Sequence, residues 1–421
     1  MSTTEVDTTE TDAVDANRQS LGGVFGDYRA RLRGGDVGAL PALAGVVVLA
    51  LVFTVLSGKD FTNAYNFSNL ILQGSAYAVF AMGLVFALLL GEIDLSAGYT
   101  GGLAAAVVGK LMNDHGFNWV LALIGGLLCG ALIGLCIGLL VARLGVPSFV
   151  VTLAAFLAFQ GVLLLLTGAG GTIPYRDKHI LAIMNNNMPL WLGWTFAVVT
   201  VVAFAALGFS RRLQRLRAGL PTPPLLVWVL KTAIFTVLVL ATTAYLSKER
   251  SRNVFLASLK GVPIVVPIVG LLLVSLTFLL TRTSWGRHVY AVGGNAEAAR
   301  RAGINVAWVK ISCFMMTSTL AAVGGVLLAS RTNSVNPTTG GSDVLLFAVG
   351  SAVIGGTSLF GGKGRVLDGL LGASVIVIIV NGMTLQGQPQ GRVYMITGLV
   401  LLLAASVDAV SRRRAAASGR A

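Results

Sequence analysis

The chain has 421 residues and a mass of 43.7 kDa; 55% of it is hydrophobic, 11% is charged, and its mean hydropathy is +0.81. So few polar residues cannot clothe a soluble globule, which excludes a soluble enzyme, a secreted disulfide scaffold and a disordered chain and leaves an integral membrane protein. The balance of 31 Lys+Arg against 17 Asp+Glu, a net +14, would suggest a polyanion partner in a soluble protein. In a polytopic membrane protein it follows from basic residues gathering in cytoplasmic loops beside anionic lipid, so no nucleic-acid partner is expected.

From the amino terminus, residues 1 to 15 hold five acids and no basic residue, the composition of a disordered tail. A secretory signal would start with basic residues and an apolar core; here Arg29, Arg31 and Arg33 precede the first apolar run. A hydrocarbon core of about 30 Å takes about 20 apolar residues per helix. Twelve runs meet that length: 39–57, 69–90, 96–113, 119–142, 147–167, 189–209, 225–246, 262–281, 306–330, 343–360, 366–385 and 393–410. The fold class is therefore an all-α, polytopic transmembrane helical bundle of about 12 spans. Its parts are an acidic tail and basic juxtamembrane segment over 1–38, a transmembrane domain over 39–410 with a cytoplasmic loop at 282–310, and a basic tail over 411–421. Gly350, Gly355 and Gly356 weaken the tenth run as one straight helix, leaving two half-helices or a re-entrant segment open.

With the amino terminus inside, twenty of the 31 basic residues fall in cytoplasmic segments, including a basic loop at Arg211 to Arg217. Both termini are thus expected to be cytoplasmic. Gly126, Gly130, Gly134 and Gly138 clear one face of the fourth span. Close helix packing accounts for such a stripe, and a glycine-lined pore wall is the alternative.

Nothing in the chain points to catalysis. No GxxxxGK[ST] loop, HExxH helix, GxSxG elbow or paired carboxylates occur, so no catalytic residue and no cofactor is expected. Cys129, Cys136 and Cys313 lie in apolar runs, and His115, His179 and His288 lie singly in polar gaps, which predicts no metal site. Among the acids only Glu92 and Asp94 escape a clearly solvated gap. They belong to GEIDLSAG, residues 91–98, where Asp94 and Ser96 are placed either to cap the third helix or to gate a passage.

The loop at 282–310 is expected to contain a short helix. Asn295 is a good N-cap, Ala296 to Ala302 are mostly strong helix formers, Glu297 suits the positive end, Arg300 and Arg301 suit the negative end, and Gly303 supplies the stop. Such a helix does not persist alone in water, so it packs on its own membrane domain or docks on a cytosolic partner.

GEIDLSAG, GVPSFVVTLA (145–154), GRHVYAVGGNAEAARRAGIN (286–305) and IGGTSLFGGKG (354–364) occur in this order. Together they resemble the motifs of permease subunits of bacterial ABC importers for monosaccharides, the ribose and xylose type, over roughly residues 65 to 405. The resemblance implies a homodimeric permease in the bacterial plasma membrane, served by a cytosolic ABC ATPase subunit and an extracytoplasmic sugar-binding protein. It also implies that Glu297, Ala298, Ala299 and Gly303 belong to the segment that couples ATPase closure to the permease. The two additional runs at 189–209 and 225–246, with RTNSVNP (331–337) and VNGM (380–383), are similar to the xylose type, so a pentose is the preferred substrate. A neutral polyol asks for hydrogen-bonding walls without counter-charges. Gln73, Ser75, Thr152, Gln160 and Asn381 are placed to supply them, unless each makes an interhelical hydrogen bond. A self-contained sugar facilitator is the alternative function.

Overall fold

A computed structural model describes residues 38, 40–168, 170–220, 222–251 and 258–417, without the side chains of Asp408 and 411–417. The acidic tail and nearly all of the 1–38 segment therefore lie outside the described residues. The chain divides into two compact units, one formed by Gly38–Asn187 with Pro263–Asp408 and a second that includes Met188–Val262.

In the first unit, α1 (Leu40–Ser57), a single turn α2 (Lys59–Thr62), α3 (Ala64–Leu89), α4 (Ala97–Asn113), α5 (Trp119–Ala142) and α6 (Ser148–Thr167) follow one another. A two-residue strand β1 (Ile173–Pro174) and α7 (Lys178–Asn185) close this half. After the second unit come α10 (Val265–Arg282), α11 (Ser284–Gly294), α12 (Ala296–Arg301) and α13 (Val306–Thr332). The chain continues through β2 (Ser334–Val335), α14 (Ser342–Gly355), α15 (Val366–Leu385) and α16 (Gln390–Ala417). The two strands pair antiparallel, Ile173 with Val335, so RTNSVNP is a helix end followed by a strand.

Ten described helices are long and apolar enough to cross a membrane. The third and tenth expected runs are the shorter α4, with 17 residues, and α14, with 14. At 1.5 Å per residue these reach about 25 and 21 Å, short of a full hydrocarbon core. Gly350 does not break α14; the helix stops at Gly356, whose φ of 114° a side chain would resist. Its two-half-helix alternative is not what forms.

The core is built around α3, α4, α13 and α15. Ala76 to Leu89 on α3 are buried with only Tyr77 partly exposed, and Phe80, Phe86, Phe314 and Met82 are among the largest fully buried side chains. The glycine stripe of α5 serves packing. A Cβ on Gly130 would stand 2.7 Å from the Ser318 carbonyl oxygen, one on Gly134 2.5 Å from the Met315 Cα and one on Gly138 2.7 Å from the Ile311 Cα, all on α13. The pore-wall alternative fails because this face is filled by backbone. Outward faces of α1 and α6 expose large apolar side chains such as Val55 and Leu165, as helices in lipid do.

In the second unit, α8 (Leu190–Arg217) and α9 (Leu225–Leu246) lie side by side. Phe204 stacks on Phe235 at 4.2 Å and the Trp228 Nε1 donates to the Ala205 carbonyl at 3.3 Å. Arg211 to Arg217 are not a loop: they form the last turns of α8, because no Gly or Pro falls between Gly208 and Gly219 to stop the helix. Beyond α9, the Glu249 carboxylate accepts from the N–H groups of Arg250, Ser251 and Leu259 and from the Ser258 hydroxyl. Those bonds hold its pKa down at about 2.

Candidate functional site: a hub of motifs and a second polar cluster

The connector between α3 and α4, residues 90–96, is where the four sequence motifs meet. The third motif reaches it at Gly293, where a Cβ would come within 1.8 Å of the carbonyl oxygen of Leu89, the last residue of α3, so only glycine fits. The fourth motif arrives through Gly362, whose N–H donates to the same Leu89 carbonyl at 2.8 Å, and Gly361, whose φ is 85°. The second motif supplies Ser148 and Thr152. The Ser148 Oγ accepts from the Ile93 N–H at 3.3 Å, and the Thr152 hydroxyl donates to the Ile93 carbonyl at 3.2 Å.

Within that connector Asp94 is buried. Its Oδ1 accepts from the Ser96 N–H at 2.9 Å and the Ser96 hydroxyl at 2.6 Å, while Oδ2 has no partner. Asp94 thus holds the start of α4, whereas Ser96, the residue at the cap position, makes no cap bond of its own; the expectation that both cap is corrected for Ser96. Burial pushes the Asp94 pKa up, and the bonds from Ser96 oppose that shift. Glu92 pairs with Lys310 on α13, a contact across 218 positions that no local pattern announces.

The expected short helix is α12. The Asn295 side chain accepts from the Ala298 N–H at 2.9 Å, Glu297 pairs with Arg300 at 2.7 Å and with Arg301 at 3.3 Å, and Gly303 has a φ of 82°. Ala299 is buried in the main core beside Val292, Val306 and Val309, while Asn295, Glu297, Ala298, Arg300 and Gly303 are exposed. One face therefore packs on the membrane domain and the other is open. The helix before it, α11, escaped the sequence reading. Thr283 caps it by accepting from the Gly286 N–H at 3.1 Å, and Trp285, Val289 and Val292 give it an apolar stripe at positions i, i+4 and i+7. Its Tyr290 hydroxyl donates to the Gly364 carbonyl at 2.8 Å, and its Trp285 indole to the Ser312 hydroxyl at 2.8 Å. Burial pushes the Tyr290 phenol pKa up.

About 20 to 30 Å away along α3, in the half remote from the hub, lies a second polar cluster. Asn69, Gln73 and Tyr77 follow at i, i+4 and i+8 and so share one face of the helix. The Arg331 Nη2 donates to the Asn69 Oδ1 at 2.8 Å, and the Arg331 Nη1 and the Gln73 Oε1 are buried without partners. The Tyr77 ring meets Phe347 edge to face at 5.6 Å, Phe347 lies 6.3 Å from Tyr394, and the Tyr394 hydroxyl bonds to Asp343. This donor, acceptor and aromatic set matches the faces of a polyol.

The other expected passage residues are elsewhere. Ser75 donates to the Ile71 carbonyl of its own helix at 2.7 Å. Asn381 exchanges hydrogen bonds with Asn66 at 3.0 and 2.9 Å, the interhelical alternative. Thr152 is at the hub, and Gln160 is exposed on α6. Asn69, Tyr77, Asp343 and Tyr394 are not singled out by the sequence, and Arg331 enters it only as the first residue of RTNSVNP, although an asparagine, glutamine and tyrosine four apart in an apolar run are a readable signal. His115, His179 and His288 are exposed, and the described residues hold no group of metal-ligating side chains.

Residues 66–405 match the family described as branched-chain amino acid transport system / permease component. The xylose transport system permease protein XylH of Escherichia coli is 34% identical over 372 residues, covering 88% of this chain and 92% of its own. The ribose import permease protein RbsC of Escherichia coli is 30% identical over 371 residues, 87% of this chain and 92% of that one. The fructose import permease protein FrcC of Rhizobium meliloti is 30% identical over 381 residues, 89% of this chain and 87% of its own. No solved structure matches the chain.

Proposed function

The chain belongs to the branched-chain amino acid transport system / permease component family, and from that premise we propose that it is the permease subunit of a bacterial ATP-driven monosaccharide importer, with a pentose such as xylose as preferred cargo. Two chains pair around a shared passage in the plasma membrane, with both termini cytoplasmic. A cytosolic ATPase subunit docks on the open face of α12, and an extracytoplasmic binding protein delivers the sugar at the opposite end. The subunit itself transports and does not catalyse. Residues 1–38 and 411–421 act as cytoplasmic tails of the 39–410 transmembrane domain, which lipid surrounds.

The convergence of all four motifs on residues 89–96 carries this reading. A push on α12 passes through α11 to Gly293, from Gly293 to the Leu89 carbonyl, and from there through Glu92 to α13 and through Asp94 to α4. Backbone contacts, an ion pair and hydrogen bonds link these steps, so a small displacement at the docking face moves helix ends that line the core. At the far end, Arg331, Asn69, Gln73 and Tyr77 offer hydrogen bonds to a neutral polyol that would otherwise lose several kcal/mol on leaving water.

The test is reconstitution. The permease is expected to copurify with an ABC ATPase and to drive uptake of radiolabelled xylose into vesicles only with ATP and a binding protein present. Uptake by the permease alone, down a gradient, would identify a facilitator and overturn the assignment.

A further inference from the structure

The α8–α9 unit carries a feature that the transport route proposed above does not include. Between residues 188 and 248 the sequence has six cations, Arg211, Arg212, Arg215, Arg217, Lys231 and Lys248, and no acid. The structure gathers four of them on one cavity of about 380 Å³ between the last turns of α8 and the first turns of α9, lined by Arg211, Arg212, Arg215 and Lys231. The opposite wall is apolar, formed by Phe204, Leu207 and Trp228. Among the four cations, Arg212 donates to the Pro223 carbonyl. The Thr232 hydroxyl, also on the wall, is buried without a partner.

Four like charges around one cavity repel one another, and an anion relieves that repulsion. Free phosphate would answer the charges and leave the aromatic wall uncovered, whereas an amphiphile answers both. Lys231 is the seventh residue of an apolar span, a position where a cation is costly unless it reaches an anionic headgroup. We infer that the cleft between α8 and α9 is a binding site for an anionic phospholipid, its phosphate held by Arg211, Arg215 and Lys231 and its first acyl carbons lying against Phe204 and Trp228. The inference rests on α8 and α9 lying in the membrane and is independent of the cargo.

The full-length chain in mild detergent is incubated with phosphatidylglycerol, phosphatidylcholine or inorganic phosphate; retained lipid is counted by native mass spectrometry and Tm is followed. Phosphatidylglycerol is expected to remain bound and raise Tm, with no such effect from phosphatidylcholine or phosphate. Arg215→Gln and Lys231→Gln, tested singly because Arg212 is left to hold Pro223, are each expected to weaken retention roughly fivefold. Equal retention by wild type and both variants overturns the site, as does equal protection by inorganic phosphate. Xylose uptake without ATP would overturn the transport proposal and leave this one standing.

Discussion

Arg331 and Asn69 are 262 positions apart, and the guanidinium of one donates to the side-chain carbonyl of the other at 2.8 Å. The bond ties the end of α13 to the start of α3 on the same helix face as Gln73 and Tyr77. The Arg331 Nη1 is buried without a partner, and so is the Gln73 carbonyl oxygen. An unmet donor and an unmet acceptor are each costly, by about 1 to 3 kcal/mol, and a hydroxyl pair satisfies both.

Arg331→Lys keeps the charge and loses the planar fork that reaches Asn69 and a second acceptor together. Uptake is expected to fall on the order of tenfold, equivalent to about 1.4 kcal/mol, at unchanged membrane abundance. Gln73→Leu should act in the same direction. Wild-type uptake in both would remove this cluster from the passage.

The stripe on α5 makes a prediction about stability alone. A side chain at Gly134 would drive α5 away from α13, since its Cβ would already lie 2.5 Å from the Met315 backbone. Gly134→Leu is expected to lower Tm in detergent, overpacking costing about 1 to 3 kcal/mol or more. Gly161→Ala on α6, with nothing within 4 Å of its new Cβ, is the control and should leave Tm at or slightly above wild type. Equal Tm values for the two would mean that the α5 face is open.

What the sequence disclosed was local. Asn295, Glu297 and Gly303 sit within nine residues, each with its own cap, charge or stop rule, and α12 forms as those rules say. The glycine spacing on α5 was equally readable, because one helix face is a property of one segment. Glu92 and Asn381 show where that legibility ends: the first acquires Lys310 and the second acquires Asn66 only when distant helices meet. The same distance hid the Arg331 cluster. Arg211 to Arg217 differ for another reason: a run of charge reads as the end of a helix, whereas Leu213 and Leu216 continue it.

At the hub, Asp94 separates capping from gating. Asp94→Asn retains an acceptor for the Ser96 N–H, so abundance and Tm are expected near wild type, whereas Asp94→Ala loses that bond and about 1 kcal/mol. Reduced uptake by Asp94→Asn at normal Tm would assign the carboxylate to the transport cycle. Normal uptake would leave it as the anchor of α4.

Coupling through α12 is the most exposed of these expectations. Glu297→Lys removes both ion pairs, to Arg300 and Arg301, and puts three basic groups on one short helix. Those pairs are solvent-exposed and worth little to folding, about 0.3 to 0.5 kcal/mol each, so the permease should still insert at normal levels. Ala298→Arg adds bulk to the open face and leaves the buried Ala299 in place, while Gly303→Pro cannot adopt the φ of 82° that ends the helix. All three are expected to lower ATPase copurification and ATP-driven uptake severalfold or more, and deletion of residues 1 to 15 should do neither. Full ATPase binding and full uptake in Glu297→Lys and Ala298→Arg would place the docking surface elsewhere, and would leave the packing of Ala299 among Val292, Val306 and Val309 as the whole purpose of the helix.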